Sequence, residues 1–161
     1  MNEIDNQEML LTVGGTSNQY LTFTLNDQDF GIEILRVQEI KNYTRVTPIP
    51  NTSACIKGMM NLRGTVVPIV DLRIKFNMPA TEYSQFTVII VVNIGTKIMG
   101  LIVDAVSDVL NIEPDAIEET PSFGGIDTSF ITGLAKSGER LVTLLNIEQF
   151  LFEQNQLAPT N

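Results

Sequence analysis

Phe30-Gly31-Ile32-Glu33-Ile34-Leu35-Arg36-Val37-Gln38-Glu39-Ile40 returns later in the chain as Met99-Gly100-Leu101-Ile102-Val103-Asp104-Ala105-Val106-Ser107-Asp108-Val109. Glycine falls on glycine, Val37 on Val106 and Glu39 on Asp108, and the apolar positions between them coincide. A second pair follows at nearly the same offset. Ile56-Lys57-Gly58 matches Ile131-Thr132-Gly133, Val67 matches Val142, and Ile69-Val70-Asp71-Leu72 matches Leu144-Leu145-Asn146-Ile147. The extra positions of the second copy lie in one longer loop, roughly residues 110–130. Two similar units predict two lobes with a seam between them, and a seam is a natural place to bind something.

Around this repeat the pattern is that of short strands. Tyr20, Phe23 and Leu25 alternate loosely with Thr22 and Thr24, Asn26-Asp27-Gln28 turns, and Phe30, Ile32 and Ile34 alternate again, which predicts a hairpin. The second copy has Ile89 to Val92, a turn at Asn93-Ile94-Gly95-Thr96, then Met99, Leu101 and Val103. Leu35 to Lys41 is expected as a short helical turn. Gly58 to Val70 reads as a further hairpin bending at Arg63-Gly64, and its counterpart bends at Ser137-Gly138. Each return strand should run into a short helix, capped by Asp71 or Asn146, whose side-chain oxygens can accept first-turn amides. Gln149 stands at the capping-box spacing from Asn146. Many short strands between Gly and Asn turns predict an all-β architecture with a few short helices. Two small barrels of about five strands fit the length, with a single β-sandwich as the rival.

Composition narrows the function. The 161 residues carry 19 acidic against 10 basic side chains, a formal net charge of −9. That balance argues against nucleic acid, which demands clustered Lys and Arg, and against docking on an anionic membrane. The longest apolar run, Thr87 to Val92, suits a strand and is far too short to span a bilayer, so no membrane insertion is expected. The start, Met1-Asn2-Glu3-Ile4-Asp5, lacks the features of a signal peptide, and the single Cys55 allows no internal disulfide. Both predict a cytoplasmic protein. The absence of histidine removes Ser-His and Cys-His nucleophiles, His-bearing zinc sites and a phosphorelay histidine.

Other chemistry is weakly signalled. Asp104, Asp108, Glu113, Asp115, Glu118 and Glu119 cluster in sequence, and paired carboxylates can do acid/base work. Their spacing has no specificity, and a solvated acidic face is the plainer reading. Asn26-Asp27-Gln28-Asp29 lacks the glycine and glutamate of a calcium loop, and no phosphate-loop order occurs. No metal or cofactor is expected. Arg63 stands next to a glycine at a hairpin bend among apolar residues. It is either an exposed turn arginine or an anchor for a partner, and pattern alone leaves both open. Glu39 is its nearest plausible charged companion.

Several of these stretches also resemble a known family. Val37-Gln38-Glu39-Ile40, Ile56-Lys57-Gly58, Asn61-Leu62-Arg63-Gly64 and Val67-Pro68-Ile69-Val70-Asp71-Leu72-Arg73 are similar to the bacterial chemotaxis coupling family CheW. So are Gly100 to Asp104, Val106-Ser107-Asp108-Val109, Thr132-Gly133-Leu134 and Asn146-Ile147-Glu148. The resemblance covers roughly residues 18–152, leaving a lead of residues 1–17 and a polar tail of residues 153–161. It points to the stand-alone coupling protein more than to the kinase's homologous domain or to receiver fusions.

The resemblance implies two intertwined SH3-like five-stranded β-barrels around a hydrophobic seam. It implies no catalysis. The expected role is an adaptor between the cytoplasmic tip of methyl-accepting chemoreceptors and the regulatory domain of the histidine kinase CheA, in the cytoplasm and recruited to receptor arrays at the membrane. The receptor-facing groove would comprise Val37, Gly58, Arg63 and Val109, with Glu39 supporting Arg63. The kinase-facing surface would include Ile40, with Phe123 as a second ring contact. Cys55 stands where the family usually has a bulkier apolar residue, which predicts a local packing change. Two alternatives remain: a coupling protein of a related surface-motility kinase system, and a carboxylate-dependent hydrolase built on Asp104 and Asp108.

Overall fold

Four two-residue turns fold the chain into hairpins, at Asn26-Asp27, Arg63-Gly64, Gly95-Thr96 and Gly138-Glu139. Asn26 (φ 53°), Asp27 (φ 64°), Arg63 (φ 50°) and Gly64 (φ 90°) are left-handed, so both central residues of the first two turns have positive φ, as a type I′ hairpin requires. The other two turns have a left-handed glycine in the first position (φ 65° at both Gly95 and Gly138). The last bend therefore falls one residue later than Ser137-Gly138, because the glycine takes the position that demands positive φ. The computed structural model of the chain describes residues 18–50, 55–79, 81–119 and 130–149.

The elements in chain order are β1 (Gln19–Leu25), β2 (Gln28–Glu33), β3 (Val37–Asn42), β4 (Ile56–Leu62), β5 (Thr65–Asp71), helix α1 (Leu72–Lys75), β6 (Val88–Ile94), β7 (Lys97–Val103), β8 (Ala105–Asn111), β9 (Ile117–Glu118), β10 (Ile131–Ser137) and β11 (Arg140–Leu145). Short 3₁₀ turns cover Ile34–Arg36 and Pro114–Ala116. The helical turn expected over Leu35 to Lys41 stops at Arg36, and Val37–Asn42 is strand. The reason is tertiary: β3 pairs with the apolar strand β6, from Val37 opposite Val92 to Asn42 opposite Val88.

The strands form two sheets, ordered β8-β1-β2-β11-β10-β9 and β3-β6-β7-β5-β4. The sixth strand of the first is only the two-residue β9. These are two intertwined SH3-like barrels, and the exchange is reciprocal. The first hairpin of the early copy (β1-β2) sits between β8 and β11 of the late copy, while the first hairpin of the late copy (β6-β7) sits between β3 and β5 of the early one. The β2-β11 and β7-β5 junctions are parallel and in matching register, with Gly31 opposite Leu144 and Gly100 opposite Ile69, while the β1-β8 and β6-β3 junctions are antiparallel.

This exchange explains the apolar runs. Val88, Ile90 and Val92 of β6 face a core shared by both barrels, together with Phe23, Ile32, Leu101 and Leu145. Ile89 and Val91 face the interior of the five-stranded barrel, with Val67, Ile69 and Ile102. A strand buried on both faces has no polar alternation, hence the continuous run. The six-stranded barrel has its own smaller core of Tyr20, Ile112, Ala135, Val142 and Leu144.

Helix α1 fastens one barrel to the other. Asp71 caps it, its carboxylate accepting from the amides of Arg73 (2.9 Å) and Ile74 (3.4 Å). Phe76 at its end stacks on Phe30 of the opposite barrel, ring centroids 5.9 Å apart. The late copy is capped likewise, Asn146 accepting from the Gln149 amide at 3.1 Å. The amides of Asp71 and Asn146 bond equivalent carbonyls, those of Cys55 and Phe130. Cys55 thus occupies the place of a phenylalanine in the other copy, and it is buried.

Candidate functional site

Arg63 is presented by its own backbone. It holds a left-handed conformation (φ 50°) that a non-glycine residue adopts at a cost of roughly 1–3 kcal/mol, and such strain clusters at functional positions. The Asn61 carboxamide secures the turn by accepting from the Gly64 amide at 2.8 Å. The guanidinium then reaches across the barrel mouth from the β4-β5 turn to Glu39 on β3. One amino group donates to Glu39 Oε1 at 3.4 Å and the other makes a close contact with Oε2. Glu39's side chain is 10% exposed and Arg63's 67%, so the pair shows solvent a cation whose counter-ion is buried behind it. The hydrogen bond to Glu39, helped by its charge, raises the Arg63 pKa above its ordinary value. Glu39 stands on a strand, not on the helical turn expected there.

The other expected receptor-facing residues divide. Val37 and Val109 are half-buried and pack against the same shared core, together with Ile56 and Val106. Val37 is on β3 and Val109 on β8, so each barrel contributes one wall. Gly58 is buried in β4, and its role is close approach: a Cβ there would fall 2.1 Å from the Thr47 carbonyl oxygen. Thr47 and Met59 exchange backbone hydrogen bonds of 3.0 and 2.8 Å over this glycine. Gly133 is its counterpart: a Cβ there would fall 2.7 Å from the Glu118 carbonyl oxygen of β9.

Ile40 is 4% exposed and belongs to the shared core. Its side chain offers no surface of its own, because the strand turns it inward beside Glu39. Phe123 lies outside the described residues, as do the lead, the tail and the Gly124-Gly125 pair.

Asp104 and Asp108, the pair on which a hydrolase would be built, are engaged. Asp104 accepts from Arg73 twice, at 2.8 and 2.7 Å, and from the Asn26 amide at 2.9 Å. Burial works to raise its pKa, but the Arg73 and Asn26 hydrogen bonds prevail and hold it below the usual carboxylate value. A carboxyl held ionised is a poor general acid near neutrality. Asp104 sits at the bend where the chain passes from one barrel to the other, so this pair staples the crossover. Asp108 is bound by Arg140 at 3.0 and 3.3 Å. Sequence reasoning did not find either arginine's role, although Asp108 matches Glu39 in the repeat. Among the described residues no group of three or more His, Cys, Asp or Glu could hold a metal. No helix among them is long and apolar enough to cross a membrane.

The fold is thus a pair of duplicated barrels with a shared apolar core and a displayed arginine. The chain belongs to the CheW-like domain family, whose model matches residues 19–154. It is 44% identical over 151 residues to the chemotaxis protein CheW of Klebsiella aerogenes, covering 93% of this chain and 89% of that one. It is 36% identical over 150 residues to the chemotaxis protein CheW of Rhizobium meliloti, covering 92% and 96%. The crystal structure of the scaffolding protein TtCheW from Thermoanaerobacter tengcongensis superposes with a TM-score of 0.76 at 34% identity, over 81% of this chain and 89% of that one. These likenesses make the chain a scaffold of the chemotaxis type.

Proposed function

We propose that the chain is a non-enzymatic adaptor that couples the cytoplasmic tips of chemoreceptors to the regulatory domain of the histidine kinase CheA. The observation that carries this reading is the Arg63–Glu39 clasp, a cation held outward by a buried carboxylate on the strand that also carries the half-buried Val37. An apolar groove with one fixed charge at its rim suits a helical tip that inserts apolar residues and needs a polar register contact. Ile40 supports the kinase-facing side from beneath, through the placement of β3. The adaptor works in the cytoplasm, drawn to membrane-associated arrays through its receptor contact.

Calorimetric titration with the kinase regulatory domain, followed by a receptor-tip fragment, tests the proposal. The chain binds both. R63E loses tip binding by about thirtyfold or more, the scale of an interface hot spot, and keeps its kinase binding, which reports an intact fold. Normal tip binding by R63E at ordinary concentrations removes Arg63 from the site. Binding to neither partner by the folded chain overturns the adaptor reading.

A further inference from the structure

The acid-and-arginine arrangement occurs twice. On β3 one extra residue falls between Val37, opposite Val92, and Glu39, opposite Val91. On β8 one extra residue falls between Val106, opposite Phe23, and Val109, opposite Leu21. In a regular strand, residues three apart face opposite sides. A bulge returns them to the same side. Val37 and Ile40 therefore both pack on the shared core, and so do Val106 and Val109. At each bulge an exposed polar residue, Gln38 or Ser107, is followed by an acid, Glu39 or Asp108. Each acid is met by an arginine: Arg63 from the β4-β5 turn, Arg140 from the first position of β11, just past the β10-β11 turn.

The second clasp has more members. Thr22 lies opposite the β8 bulge and is fully buried. Its hydroxyl accepts from the Asp108 amide at 3.1 Å and lies 2.9 Å from the Asp108 carbonyl oxygen. Arg140 binds the Asp108 carboxylate with one amino group, reaches the Thr22 hydroxyl at 3.4 Å with the other, and Asp29 at 3.5 Å through Nε. One guanidinium thus ties β11 to β8, β1 and β2. The strand it serves is an edge: among the described residues β8 is bonded to β1 alone. An edge strand has no second ladder to hold its register, and a one-residue slip turns every side chain to the other face.

We propose that Arg140 is a positioning residue for partner recognition: through Asp108 and Thr22 it holds the β8 bulge that keeps Val109 in the apolar wall of the groove. This rests on the adaptor reading, in which Val109 faces the receptor tip. Arg63 and Arg140 then have related but distinct tasks. Arg63 is mostly exposed and is displayed to the partner, whereas Arg140's side chain is 33% exposed and engaged inward.

The full chain carrying R140A, R140K or D108N tests this, with R63E as the control. Methyl NMR reads the Val106 and Val109 environments, amide exchange reads the Asp108 N–H, and calorimetry reads the receptor-tip fragment and the kinase domain separately. R140A is expected to shift the Val109 methyl signals, speed Asp108 exchange and weaken tip binding about tenfold, the scale of one or two lost network hydrogen bonds, with kinase binding unchanged. R140K, which keeps the charge and part of the reach, recovers part of the loss. Should R140A fail to fold, D108N, which keeps the side-chain volume, is expected to show the same split. Native Val109 signals and native tip affinity in R140A, while R63E loses binding, overturn the positioning role. Equal weakening toward both partners overturns it as well, since that is a loss of fold. A wild-type chain that binds no tip fails the adaptor reading and takes the positioning role with it.

Discussion

Gly31 and Gly100 show how a single residue serves both copies of the repeat. Each stands opposite its parallel partner, where a branched side chain of the other copy lies over the bare backbone. A Cβ on Gly100 would sit 2.6 Å from Ile69 Cδ1 and 2.9 Å from Ile89 Cγ2. On Gly31 it would meet Leu144 Cδ2 at 3.0 Å and Val142 Cγ1 at 3.3 Å. G100A is therefore expected to lower stability by about 1–3 kcal/mol through overpacking, and G31A by less. Urea unfolding midpoints of the two variants check the order, and the reverse order removes the packing account. The glycines were legible as a matched pair, but the side chains over them from the other half of the chain, Ile69 above Gly100 and Leu144 and Val142 above Gly31, were not. Arg63 teaches the same lesson. Exposed turn arginine and partner anchor are equally good readings of the pattern, and only the fold brings Glu39, 24 residues away, against it.

At the scale of elements, local signals worked where the partner was local. The Asp71 cap was legible because the amides that donate to it, those of Arg73 and Ile74, lie two and three residues on, and short-range chemistry is written in short-range sequence. The bond to its other carboxylate oxygen was not. Tyr83 donates its hydroxyl to Asp71 Oδ2 at 2.7 Å, from a stretch without regular structure. Burial first, and the Asp71 carboxylate second, push the Tyr83 phenol well above its ordinary value of 10.0. The folded chain thus keeps a proton that the unfolded chain releases near pH 10. Stability from this group is full below about pH 10 and declines as pH rises further. Y83F should flatten the alkaline decline of unfolding free energy, leaving a residue from Tyr20, whose phenol burial also raises. An alkaline slope unchanged in Y83F breaks the link. The strand β3 is the opposite case: Leu35 to Lys41 looked helical in isolation, and pairing with β6 made Val37–Asn42 extended.

At the scale of the molecule, the exchanged hairpins make two barrels one folding unit. The largest core draws Leu21, Phe23 and Ile32 from one sheet and Ile90, Leu101 and Val103 from the other, so neither barrel can close its core alone. Arg73, on helix α1, meets Asp104 at the crossover, and Asp104 meets the β1-β2 turn, which binds the two sheets at their border. Thermal unfolding is expected as one transition with equal calorimetric and van 't Hoff enthalpies. Two resolved transitions, one per barrel, contradict this account of the shared core.

The sequence by itself determined the repeat, the all-β class, the hairpin turns and the caps, because each is set by side-chain period or by residues a few positions apart. It also carried the family likeness and the names of the groove residues. Only the tertiary structure decided which hairpin completes which barrel, that Ile40 faces inward, and that Arg63 and Arg140 clasp matching acids across matching bulges. Those facts depend on pairings between distant segments, and a bulge of one residue reverses a side chain's face without leaving a mark in the local pattern.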